Sequence, residues 1–450
     1  MTRSLTVGAL AAMAVGCGSG IPWHVENKPA AWADGEWQQN AKDCGAHFQV
    51  KTDGDTMYVA AQSCVYAVKA GGAKVWIANN LSDGPRYLAV GEGKVVVTSY
   101  SIGEKSHDTD SSGSNLNKRE NGHLTAFNAA DGTQLWDVAF DKEGSKLSAP
   151  AIAGGKALVY SKNSVNAYDL NSHEQVWSAT PAGDNSILNV VPYPRITPVV
   201  SDGKVYAAAL NASEIYDLAT GKKMGDDTYS GGNIAGNVAA QPGAFIASRS
   251  KRSLTKSKGS MINMDGKNEV FAVDAKRDGY HRLWSTTLDY EGSDLGIANL
   301  AVNDGMIFAC TNERVVGLDA ASGSQKWEVK GHPVHPSSKR HGTRATASGT
   351  FTLDLAKGYV LNDSPDTGFA AFGGKVYVPA KFVEEVNGKK GRDVVTALDA
   401  KTGAYLGSWD GGGQTVLDIG PSPDGALVVA TNNGLTTVKP DAFVPVAAAK

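Results

Sequence analysis

One short phrase of sequence is written again and again along this chain, and the repetition limits the fold before anything else does. HLTAFNAADGTQLWDV (His123 to Val138) runs an alternating apolar segment into an Asn-x-x-Asp-Gly turn and on to a tryptophan. SVNAYDLNSHEQVWSA from Ser164, EVFAVDAKRDGYHRLWST from Glu269 and RVVGLDAASGSQKWEV from Arg314 repeat it. Looser copies are SCVYAVKAGGAKVWIA from Ser63, ASEIYDLATGKKMGD from Ala212 and DVVTALDAKTGAYLGSW from Asp393. Trp136, Trp177 and Trp327 follow Asn128, Asp169 and Asp319 by the same eight residues. A fixed internal spacing of this kind marks a repeat architecture.

Each copy reads as strand, tight turn, strand. Alternating apolar residues suit a half-buried strand. The Asp or Asn bonds its own backbone two residues on and opens the turn. The glycine four residues after Asp217, Asp319 and Asp399 supplies a positive φ. The tryptophan then lies on the returning strand, where it can bury a large surface against a neighbouring unit. A second hairpin precedes most copies: APAIAGGKALVYSK from Ala149, TPVVSDGKVYAAAL from Thr197, ANLAVNDGMIFACT from Ala298 and GFAAFGGKVYVPAK from Gly368. Together the two make four short antiparallel strands per unit, the composition of a β-propeller blade. The Trp hairpin is read here as the inner-to-outer strand pair.

Counting units gives an all-β, eight-bladed propeller with four-stranded antiparallel blades; a seven-bladed ring is the competing count. The eighth unit, from Asp418, supplies only three strands. Its fourth is expected from KPAAWADG (Lys28 to Gly35), with Trp32 in the outer-strand role, so that the two ends of the chain close the ring. Trp32, Trp76, Trp136, Trp177, Trp284 and Trp327 are the expected interblade docking residues. Gly225 and Gly407 occupy the tryptophan's place in units four and seven, and Met224 and Trp409 are the nearest residues that could fill the gaps.

The D-x-x-[TS]-G-x-x-x-W pattern, complete in Asp319, Ser322, Gly323 and Trp327, resembles the tryptophan-docking motif of the quinoprotein (PQQ-like) β-propellers. The resemblance covers nearly all of the chain after its first residues. One branch of that superfamily oxidises alcohols or sugars with PQQ and a divalent metal, and its alcohol dehydrogenases carry a disulfide between adjacent cysteines. No two cysteines are adjacent here, and no C-x-x-C-H offers a haem site. The other branch includes BamB-like lipoproteins that scaffold outer-membrane barrel assembly. The chain is similar to these in length, blade number, N-terminal signal and a tryptophan near the mature N-terminus. The resemblance therefore implies a binding scaffold without enzymatic activity or cofactor; a PQQ- or metal-dependent oxidoreductase and a sensor of sugar or cell-wall polymer are the alternatives.

MTRSLTVGALAAMAVGCGSG opens with Arg3, an apolar run from Leu5 to Val15, and Gly16-Cys17, the plan of a secretory signal. Ala14-Val15-Gly16-Cys17 resembles a lipobox, which makes Cys17 the expected lipidation site. No later segment is apolar enough to span a bilayer. The chain divides into a signal (1–17), a tether (18–27), the propeller (28–440) and a tail (441–450). The expected location is the cell envelope, on a lipid anchor, as a monomer within a complex of envelope proteins. With 43 Lys+Arg against 46 Asp+Glu, the chain lacks the basic excess that nucleic-acid binding asks for.

Candidate sites interrupt the repeat. GHPVHPSSKRHGT brings His332, His335 and His341 within ten residues, donors that could hold zinc or copper in a spacing that is not a standard ligand set. DTDSSGSNLNKRE begins like a calcium loop with Asp108 and Asp110 but puts Arg119 where the bidentate acid belongs. SRSKRSLTKSK (Ser248 to Lys258) carries five basic residues and reads as a solvated loop in unit five that could touch an anionic surface. Cys44 and Cys64 flank one hairpin and could form a disulfide in an exported protein, and Cys310 reads as a buried strand thiol. G-x-S-x-G, the P-loop and H-E-x-x-H are missing, so no catalytic residue is nominated.

Overall fold

The computed structural model describes residues 44–443 except 46, 80–84, 103–118, 141–146, 162–163, 183–196, 209–211, 229–232, 257–261, 289–296, 312–313, 331–358, 362–368, 383–391, 411–413 and 433. Its strands form eight antiparallel sheets in chain order, which settles the blade count at eight. Blades one to six have four strands each and span 47–79, 85–140, 151–179, 199–228, 233–288 and 297–330. Blade seven (359–410) adds a short fifth strand: Ala370–Phe372 pairs with one end of Lys375–Phe382, and Tyr359–Leu361 pairs with the other. Blade eight (416–438) has three strands among the described residues.

The first strand of each blade is the innermost. His47–Asp53 of blade one lies against Pro85–Gly91 of blade two on one side and Val416–Pro421 of blade eight on the other, so the inner strands close a ring. The Trp hairpin is therefore the third and fourth strands of a blade, and the Gly-turn hairpin is the inner pair. The Trp hairpin runs outward from the third strand to the fourth, so the tryptophan lies on the outer strand as expected: the chain meanders outward from the axis, and the Trp hairpin is reached last.

Burial follows from this position. Second strands such as Thr56–Ala61 and Lys204–Ala208 are buried along their whole length, because neighbouring blades cover both faces. In the outer strand Gln175–Ala179 only Trp177 is buried. The core is divided accordingly into eight apolar clusters, each lying between two adjacent blades. Blades one to seven share a β-bulge at one place: the register skips Val75, Leu135, Val176, Met224, Leu283, Lys326 and Leu406, each immediately before the tryptophan or its substitute. A bulge adds local twist and re-aims side chains. Here it leaves Val75, Leu135, Val176 and Leu283 exposed while the next residue turns toward the following blade.

The packed body runs to Phe443, three residues past the boundary expected at 440. Phe443 is buried between blades seven and eight, with its ring 5.2 Å from that of Tyr377.

Candidate functional site

Five seams between blades are built alike. The indole Nε1 of Trp76 donates to the Ala129 carbonyl at 2.8 Å, Trp136 to Leu170 at 2.9 Å and Trp177 to Leu218 at 3.0 Å. Trp284 donates to Ala320 at 3.2 Å and Trp327 to Ala400 at 2.9 Å. Each acceptor follows the first turn residue of the next blade, whose carboxylate or amide oxygen holds the turn: Asp319 Oδ1 accepts from Ala321 and Ser322, and Asn128 Oδ1 from Ala130. At four of the five the ring lies on the turn glycine; the turn of blade three carries His173 at that position, with a φ of 57°. A Cβ on Gly132, Gly221, Gly323 or Gly403 would stand 2.3–2.6 Å from an indole, and each glycine also has a positive φ near 70°. Hydrogen bonds to the Ser322 hydroxyl and backbone hold the Asp319 carboxyl below its ordinary range, and Thr220 does the same for Asp217.

The seam between blades four and five has no tryptophan and is polar instead. Lys204, buried, donates Nζ to the carbonyls of Ala275 (2.8 Å) and Arg277 (3.0 Å), so an ammonium caps the carbonyl that an indole caps elsewhere. Gly225 is required by close approach: a Cβ there would stand 2.5 Å from the backbone of Gly279 and Tyr280. Met224 packs against the cluster of this seam beside Tyr280, whose hydroxyl lies 3.1 Å from that of Tyr206. Asp227 of blade four pairs with Arg282 of blade five, which also bonds Glu269 at 3.2 Å and lies over the Phe271 ring at 4.3 Å. Burial alone would raise the Glu269 carboxyl, but hydrogen bonds from Ser285 and Arg249 outweigh it and hold it low. Lys204 and Tyr280 escaped sequence reading. Lys204 stands in the same Gly-Lys turn as Lys94, Lys156 and Lys375, which are only half-buried, so its neighbours and not its local sequence set its role.

At the seam between blades seven and eight, Trp409 is 1% exposed and packs with Val416, Ile419, Leu427 and Phe443, its Nε1 unbonded. Between blades eight and one, Asp418 Oδ2 accepts from the Val50 amide at 2.9 Å. Cys44 and Cys64 are joined in a disulfide with Cα atoms 5.5 Å apart, tying the entry of blade one's inner strand to its third strand. Cys310 is a buried free thiol.

The two ends of the propeller differ. Antiparallel alternation puts the 1–2 and 3–4 turns of every blade at one end and the 2–3 and blade-to-blade connections at the other. The first end is made of short turns, stitched across seams by Glu92 to the Gly155 amide and by Asp202 to the Gly243 amide, 2.9 and 2.8 Å. The second receives the connections 103–118 in blade two, 257–261 in blade five, 331–358 leading into blade seven and 383–391 within it, whereas 362–369 interrupts the inner edge of blade seven between its two short strands. His332, His335, His341, Asp108 and Asp110 fall in these connections, outside the described residues, as do Cys17 and Trp32 in the N-terminal segment. Among the described residues no group of three metal-ligating side chains occurs.

The basic stretch expected as a loop is strand from Ser248 to Lys256, and its last two residues lie outside the described ones. Ala244–Lys256 pairs with Ile262–Asp274 in unbroken register over thirteen residues, Lys256 opposite Ile262, while its inner neighbour Asn233–Gln241 stops at Lys251. Beyond Lys251 the two strands pair only with each other among the described residues, and this ribbon extends at the connection-bearing end.

Three comparisons bear on kinship. A family model described as "Outer membrane protein assembly factor BamB" matches residues 61–238 and 249–379. Among solved structures, BamB from Moraxella catarrhalis aligns over 87% of this chain and 92% of that one, with TM-score 0.53 and 14% identity. The C-terminal WD40 domain of Sif2 aligns over 88% and 96%, with TM-score 0.52 and 10% identity. At these identities the two structures attest the propeller fold alone. No curated protein matches the chain in sequence.

Proposed function

Since the chain belongs to the family described as Outer membrane protein assembly factor BamB, we propose that it is an exported, non-enzymatic propeller that holds protein partners in the cell envelope. The observation that carries the reading is the inequality of the two ends. Seven blades repeat one hairpin design with turns of a few residues at one end, while the insertions of blades two and five and two of those of blade seven collect at the other. A rigid scaffold that concentrates its variable connections on one face presents them for binding. The basic ribbon of blade five and the inserts of blades two and seven are the contact elements. Partners are envelope proteins or their peptides, taken by a monomeric propeller within a complex.

The N-terminal signal and Cys17 support attachment through a lipid, and the Cys44–Cys64 disulfide suits an oxidising compartment. Affinity purification from the native envelope, with the ribbon 252–266 replaced by a two-residue turn as control, tests the reading. Specific partners should co-purify with the parent and drop away from the ribbon variant. Equal recovery with both would remove the ribbon from the interface. A Cys17→Ser variant should lose incorporation of labelled fatty acid.

A further inference from the structure

In blade five the two middle strands outgrow both of their neighbours. The inner strand begins at Asn233, opposite Lys251, and the outer strand ends at Leu288, opposite Asn268. We propose that the inner edge of Arg252–Lys256 takes an extended acidic segment of a partner protein as an added β-strand. The proposal rests on the reading of this ribbon as a contact element and specifies what the ribbon accepts. Chain length favours an open edge. Thr228 ends the outer strand of blade four and Asn233 begins the inner strand of blade five, so the link between them crosses at least three strand positions. That is about 14 Å. Five residue steps reach at most about 18 Å, so the link has almost no length to spare for the edge beyond Lys251.

The register sets the chemistry of that edge. The ribbon pairs Lys251 with Lys267, Arg252 with Gly266, Ser253 with Asp265, Leu254 with Met264, Thr255 with Asn263 and Lys256 with Ile262. Four cations therefore stand against one acid. Like charges directly opposite each other destabilise an antiparallel pair, and Lys251 with Lys267 is such a pair. Edges rich in lysine turn away stray strands, and the same charges select a strand of opposite sign. They also repel a second copy of the ribbon. Alternation places Arg252, Leu254 and Lys256 on one face, with Met264 and Ile262 as cross-strand neighbours, and Ser253 and Thr255 on the other. An added strand fits with an acid opposite Arg252, an apolar residue opposite Leu254, a second acid opposite Lys256 and small polar residues between them. Opposite-charge and apolar cross-strand pairs each favour this acid-x-apolar-x-acid pattern, while backbone bonds along the edge hold the segment extended. Such a strand would carry the line of Asn233–Gln241 beyond the connection end of the blade.

Fluorescence anisotropy of a labelled Glu-Thr-Val-Thr-Glu peptide, flanked by glycines, tests the edge on the full-length protein. The peptide should bind, and replacing both Glu by Lys should weaken it by about tenfold or more. N-methylation of the peptide amides that face the edge should weaken it as well, because an added strand needs those donors. An Arg252→Glu, Lys256→Glu double variant should reverse the preference and take the Lys peptide, a gain of binding that an unfolded ribbon would not give. Should that variant bind neither peptide, the comparison of the two peptides on the parent decides. Equal binding of the Glu and Lys peptides by the parent would overturn the proposal, as would an N-methylated peptide that binds as tightly as the unmodified one. Phosphatidylglycerol vesicles that displace the Glu peptide would also overturn it, by assigning the edge to a lipid surface. Failure of the peptide, with envelope partners still dropping away from the ribbon variant, would refute the edge and leave the scaffold reading in place. Peptide binding without any envelope partner would do the reverse.

Discussion

The seams between blades three and four and between blades four and five lie on opposite faces of the same sheet and are built on different chemistry. At the first, Trp177 lies on Gly221 and donates to Leu218, an apolar slab with one directional bond. At the second the indole is absent. Lys204 caps the equivalent carbonyl, the 279–280 backbone closes on Gly225, and Asp227 pairs with Arg282. The longer turn of blade five explains the exchange: Trp284 follows Asp274 by ten residues, not eight, and the extra length fills the space an indole would need. The propeller thus tolerates a change of glue as long as the acceptor carbonyl stays bonded and the gap stays filled.

The largest test of that contrast is Trp136→Ala, which should cost about 3–5 kcal/mol in chemical denaturation by opening a cavity and freeing the Leu170 carbonyl. Lys204→Met should cost about 1–3 kcal/mol, because the Ala275 carbonyl is left buried without this donor. Lys94→Met, at the same turn position of blade two, should stay within about 0.5 kcal/mol. A Lys204 variant as mild as the Lys94 variant would show that the polar seam does not depend on its cap. Gly225→Ala should lose about 1–3 kcal/mol, since the obstacle is backbone and cannot swing away. Trp409→Phe should cost less than about 1.5 kcal/mol, because its Nε1 bonds nothing and shape is nearly all that is lost. Trp136→Phe, which also gives up the Leu170 bond, should cost more than Trp409→Phe.

The smallest effect concerns pH. The Asp319 carboxyl titrates below its ordinary value, so the folded state resists its protonation. That stabilisation is complete above the unfolded carboxylate range, near about 4, and is lost as pH falls through the lowered folded value. Asp319→Asn, which copies the neutral Asn128 of blade two, should flatten the acid limb of the unfolding midpoint and lower the midpoint slightly at pH 7, where the carboxylate's contribution is complete. An unchanged acid limb would separate the turn bond from the acid response.

The repeated hairpin was legible because it is local chemistry. Turn glycines, Asx residues and tryptophans recur at fixed steps, and the structure realises them as eight sheets. Met224 and Trp409 were also legible as the residues beside the missing indoles. Lys204 and Tyr280 were not, since each meets its partner more than seventy residues away or across a seam. The basic stretch of blade five misled for a related reason. Charge suggests a solvated loop, but pairing with Ile262–Asp274 is a cross-strand fact that a single segment does not display.

By itself the sequence determined the blade and the rule that joins one blade to the next, because these rest on turn conformations and side-chain volumes carried within each repeat, while the count of eight over seven came from the sheets of the structure. Only the tertiary structure decided which hairpin lies at the axis, which seam trades an indole for an ammonium, and that most of the long insertions gather at one end. Those outcomes depend on the closing of the ring. Closure brings side chains from distant repeats into contact and assigns each connection to an end, and neither relation exists until all the blades are assembled.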